Sequence, residues 1–122
     1  MSKSLRNTFL VHAVVAVLAG LPMLIVPGRW LDVFGWMPID PIMTRLVGAA
    51  LLALGWGSFR GWRAAVRGDV EILIQVEAVF TVLSTLALLR HLTGGSWPWY
   101  VWAMFIVFLL FAIAWIYHLV RK

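Results

Sequence analysis

Cysteine is absent from the 122 residues, which excludes disulfides, thiolate metal sites and a thiol nucleophile. Acidic side chains are scarce, with five Asp and Glu against ten Lys and Arg, and charged residues of both signs make up only 12% of the chain. A soluble domain that is 63% hydrophobic lacks the polar groups to cover its own surface, so that class is excluded. No Walker, GxGxxG, HExxH or Ser-His-Asp arrangement with usable spacing is present, and no enzyme is expected. A net charge of +5 would suggest a nucleic-acid partner in a soluble chain. Here the bases flank apolar runs, where membrane topology places them, so no nucleic acid is expected.

Four apolar runs fill most of the chain: Phe9–Val26, Ile42–Phe59, Ile72–Leu89 and Val101–Leu119. Crossing the hydrocarbon core takes about 20 apolar residues of helix. The expected fold is therefore an all-α integral membrane protein, a four-helix up-down-up-down bundle in a single domain. Its helices should cover about 9–26, 42–67, 70–92 and 97–119. Lys3 and Arg6 ahead of the first run, with Val17-Leu18-Ala19 within it, have the outline of a secretory signal. The run exceeds a usual signal core and three more segments follow, so a retained first helix is expected.

Four crossings put both termini on one side. With that side cytoplasmic, Lys3, Arg6, Arg60, Arg63, Arg67, Arg121 and Lys122 lie inside, and Arg29, Arg45 and Arg90 lie outside. Seven against three favours this orientation, with both termini cytoplasmic. Trp30, Trp36, Trp97, Trp99 and Tyr100 then form an outer aromatic belt, and Trp62, Trp115 and Tyr117 an inner one. Such rings favour the interface because one edge is apolar and the other hydrogen-bonds.

Helix breaks are expected at Pro27-Gly28, at Asp40-Pro41 (an N-cap followed by Pro at the first helical position), at Gly68-Asp69 (a left-handed stop and an N-cap) and at Gly94-Gly95-Ser96. Between helices one and two, Trp30, Val33, Phe34 and Met37 share one apolar face, with Arg29 and Asp32 off it. That spacing supports a short interfacial helix, and an irregular loop pinned by Trp is the other reading. No internal repeat is evident, and both halves would cross in the same direction, which argues against an inverted-repeat transporter.

Because lipid tails are as apolar as Leu, packing at small residues must bring the helices together. Ala49, Ala53, Gly57 and Gly61 recur every four residues on helix two, widened by Gly48 and Gly55. Ala16 and Gly20 offer a matching surface on helix one, on the face that carries His12. Helix four instead carries Phe105, Phe108, Phe111 and Trp115 at helical spacing. That stripe is expected to face lipid or another helix, with a partner subunit, quinone or pigment as the sharper reading.

Glu77 lies well inside helix three, where an intramembrane carboxylate costs about 2.5–3.5 kcal/mol. Thr81, Ser84 and Thr85 continue its side of the helix. Such acids mark ion or substrate paths, and they also form interhelical hydrogen bonds, here to His12, Ser58 or a backbone carbonyl. Glu71 is expected to pair with Arg60, Arg63 or Arg67. His12 and His118 both lie toward the inner side, which admits a bis-His haem in principle, although nothing else resembles a haem motif. The sequence requires no metal and no cofactor.

The stretch Gly20-Leu21-Pro22, Val26-Pro27, Phe34-Gly35, Pro41 and Arg45-Leu46-Val47-Gly48-Ala49-Ala50 resembles the first half of small four-helix bacterial inner-membrane proteins that carry no known activity. The resemblance covers most of the chain through loose motifs and implies a bacterial source and a four-helix fold. The small multidrug-resistance exporters also combine four helices with an intramembrane Glu. Theirs lies in the first helix, whereas the first helix here has no acid. These features together point to a non-catalytic accessory subunit of an energy-transducing complex, respiratory or photosynthetic. A small proton-coupled transporter using Glu77 is the alternative, and a quinone, pigment or haem contact subunit is the third.

Overall fold

A computed structural model describes residues 1–122. The chain is all-α, with no strand, and four of its helices are long and apolar enough to cross a membrane. Helix α1 spans Lys3–Ile25, α2 Pro27–Val33, α3 Pro41–Arg63, α4 Glu71–Thr93 and α5 Trp99–Val120. A 23-residue helix such as α1, α3 or α4 is about 34 Å long at 1.5 Å per residue, against a hydrocarbon core of about 30 Å.

Two compact units are formed, Met1–Ala65 and Val66–Lys122, each an antiparallel pair of long helices. No water-driven apolar core is needed to hold such a pair in lipid, where close packing and interhelical hydrogen bonds do so.

Local chemistry explains most boundaries. Ser2 caps α1 by accepting from the Leu5 N–H at 3.1 Å. Asp40 caps α3 by accepting from Ile42 and Met43 at 3.0 and 3.2 Å, with Pro41 in the first turn where its missing N–H costs nothing. Pro27 opens α2, and the chain breaks at Val26 (φ −131°, ψ 60°) just before it. The short helix between the first two long ones is therefore present.

Three boundaries differ from expectation. Helix α1 begins at Lys3, behind the Ser2 cap, rather than near 9. Helix α3 stops at Arg63, where Ala64 turns extended (φ −67°, ψ 144°), rather than running to 67. Gly68-Asp69 is not a left-handed stop and N-cap. It lies in a 3₁₀ turn, Arg67–Val70, which leads directly into α4, and Val70 precedes that helix without a side-chain cap. The left-handed glycine is instead Gly35, at φ 79°, where the chain turns back after α2.

Candidate functional site

In the first unit the helices touch backbone to backbone. A Cβ on Gly48 would lie 2.7 Å from both the Gly20 carbonyl oxygen and the Leu24 nitrogen, and one on Gly20 would lie 2.9 Å from the Gly48 oxygen. Two turns further along α3, a Cβ on Gly55 would lie 3.1 Å from that of Ala16, and at the far end Gly61 leaves room for the fully buried Phe9 ring. Thr44, Gly48, Gly55, Ser58 and Gly61 are the buried positions of α3. The seam therefore follows the spacing 44, 48, 55, 58, mixed steps of three, four and seven, rather than the strict four-residue stripe. Ala49 and Ala53 are exposed, Gly57 is half-buried, and only Gly61 of that stripe is buried. A row every four residues drifts round a 3.6-residue helix, so the stripe cannot stay on one seam. On α1, Ala16 and Gly20 lie on the contact face as expected.

This close approach encloses a polar pair. His12 Nδ1 lies 2.7 Å from Ser58 Oγ, with the two residues 4% and 1% exposed. Which of the two donates depends on the imidazole tautomer. Interhelical bonds of this kind contribute about 0.6 kcal/mol and at most about 1.7 in membranes. The partner on α3 was not legible as such in the sequence. Its signal is that Ser58 falls on the same three-four spacing as Gly48 and Gly55.

The second unit holds the carboxyl. Glu77 is 2% exposed, with Thr81 and Thr85 buried one and two turns further along α4. The Thr81 hydroxyl donates to the Glu77 carbonyl at 2.7 Å, and the Thr85 hydroxyl to the Thr81 carbonyl at 2.7 Å. Both hydroxyls thus have their donor committed to their own helix and retain only acceptor capacity. Ser84 is half-buried beside this row.

The aromatic stripe of α5 turns largely away from the outer surface. Trp115 is fully buried, Phe105, Phe108 and Phe111 are half-buried, and Phe108 meets Phe80 of α4 edge to face at 5.8 Å. The exposed face of α5 is mainly aliphatic: Ile106, Leu110, Ile113, Ile116 and Val120, with Trp102 and Tyr117 near its ends. Aromatic rings gain most from close contact, so helix pairing takes them and leaves branched aliphatics to the outside.

In each unit an arginine near the start of the chain segment donates to carbonyl oxygen at the end of the facing helix. Arg6 donates to the Ala64 oxygen at 3.2 Å. Arg67 donates to the His118 and Arg121 oxygens and also lies 3.3 Å from Glu71, which reaches Lys122 at 3.6 Å. Of the three bases considered for Glu71, Arg67 is the one bonded to it. No three His, Asp or Glu side chains come together as a metal-binding group. Comparison with known protein families, curated proteins and solved structures gives no match.

Proposed function

We propose that this chain is a non-catalytic accessory subunit of a larger complex in the bacterial inner membrane, one of the energy-transducing kind. The observation that carries the reading is the outward face of α5. From Ile106 to Ile116 its exposed positions are aliphatic, with no hydrogen-bonding group that could act on a substrate and a surface suited to a neighbouring helix or lipid. The chain also keeps almost nothing outside its helices, which suits a part that fills and stabilises a membrane assembly. Extraction in gentle detergent followed by native mass spectrometry is expected to show this chain bound to other membrane subunits. A mass corresponding only to its monomer or homodimer would overturn the reading.

Both termini are proposed to be cytoplasmic, on the seven-to-three distribution of Lys and Arg. Reporter fusions after Gly68 and Lys122 are expected to read as cytoplasmic, and fusions after Gly35 and Gly95 as external. An external signal after Lys122 would reject this orientation.

One observation favours a second reading, a small proton-coupled transporter. Glu77 is buried at membrane depth in line with Thr81 and Thr85, and intramembrane acids lie on ion paths in many carriers.

A further inference from the structure

Unit Met1–Ala65 is electrically lopsided. At the end where α2 lies, Arg29 and Arg45 are balanced by Asp32 and Asp40. At the opposite end, Lys3, Arg6, Arg60 and Arg63 are all exposed. The antiparallel pairing gathers them there, as the Arg6–Ala64 bond and the Phe9–Gly61 contact require. No carboxylate of this unit is near: Asp40, at the start of α3, is about 34 Å away along the helix, several Debye lengths at physiological salt. In the second unit Glu71 binds both Arg67 and Lys122, so those bases are partly neutralised.

The basic end continues into an aromatic strip. Trp56, Phe59, Arg60 and Arg63 follow the i, i+3, i+4, i+7 spacing, one face of α3. Trp56 is 62% exposed and Phe59 is exposed beside it, with ring centroids 5.7 Å apart, and Phe59 lies 5.9 Å from Trp62. Flat apolar rings at membrane depth, ending in two guanidiniums at the helix terminus, match the build of a phospholipid, with acyl chain below and phosphate above. Guanidinium pairs with phosphate through two parallel hydrogen bonds, which an ammonium cannot do.

We propose that this face holds an anionic glycerophospholipid, its phosphate at Arg60 and Arg63 with Lys3 and Arg6 adding to the field, and its acyl chain along Trp56 and Phe59. Each basic residue near an anionic headgroup contributes about fivefold in affinity. Titration of the purified full chain, followed by native mass spectrometry, would compare phosphatidylglycerol with phosphatidylcholine of identical acyl chains. Phosphatidylglycerol is expected to bind at least about tenfold tighter. That preference should fall by an order of magnitude in Arg60→Gln/Arg63→Gln, and about fivefold in Lys3→Gln, an exposed position at the start of α1. It should persist in Lys122→Gln, in the other unit. Equal affinity for the two lipids would overturn the proposal, as would a preference that survives Arg60→Gln/Arg63→Gln. Displacement of phosphatidylglycerol by millimolar inorganic phosphate would also overturn it, by showing a site for free anion rather than lipid.

Discussion

Gly48→Leu is expected to separate α1 from α3. At this position any Cβ would lie within 2.7 Å of backbone atoms on the opposing helix, the Gly20 oxygen and the Leu24 nitrogen. Neither can turn aside as a flexible side chain would. The helices must move apart, and with them goes the close backbone contact that associates helices in lipid. Overpacking a tight core typically costs about 1–3 kcal/mol, and this substitution should reach the top of that range. The lack of native cysteine makes a direct assay available. In an Ala16→Cys/Gly55→Cys background the two Cβ positions are 3.1 Å apart, close enough for a disulfide after a small adjustment. Oxidation should crosslink this background efficiently and should fail when Gly48→Leu is added. Ala49→Leu, on the exposed side of α3, should leave the crosslink intact. Equal yields with and without Gly48→Leu would show that the seam lies elsewhere.

The second large effect is expected at Glu77, where the two functional readings part. As a structural group, a protonated Glu77 should be replaceable by Gln at a cost within about 1–2 kcal/mol, the scale of interhelical hydrogen bonds in membranes. Gln keeps the shape and a donor but does not titrate. Glu77→Leu removes the polar group from a buried site and should cost about 1–3 kcal/mol. The accessory-subunit reading expects the Gln variant to assemble and support its complex like the parent protein. Loss of pH-dependent transport in Glu77→Gln, with expression and thermal stability unchanged, would decide for the transporter. Denaturation in mild detergent and complex yield measure the two arms separately.

The membrane class, the four spans and several caps were legible from residues alone, because they rest on local chemistry. A run of about 20 apolar residues has one stable conformation in lipid, the helix that satisfies its own backbone. Asp before Pro is a favoured N-cap and first-turn pair, and here Asp40-Pro41 starts α3. That Glu77, Thr81 and Thr85 share one side of their helix was likewise legible, from their four-residue spacing. Gly68 was misread for a reason that is also local: glycine permits the left-handed conformation without requiring it, and a 3₁₀ turn was available instead.

Which face of each helix meets its neighbour was decided only by the tertiary structure. Helix α3 offers small residues on more than one side, and composition does not distinguish a seam through Gly48 and Gly55 from a stripe through Ala49 and Ala53. The choice depends on what α1 presents in return, Gly20 opposite Gly48 and Ala16 opposite Gly55, and on the three-four register that keeps two helices in contact. Once that seam closes, Ser58 falls beside His12. The α5 stripe follows the same logic. Its spacing defines a face, but in a helix apolar on every side spacing does not say which positions are covered; in the structure Phe108 meets Phe80 of α4, Trp115 is buried and Leu110 is exposed. In lipid no difference in hydrophobicity points a helix face inward, so only the fit between neighbouring surfaces can.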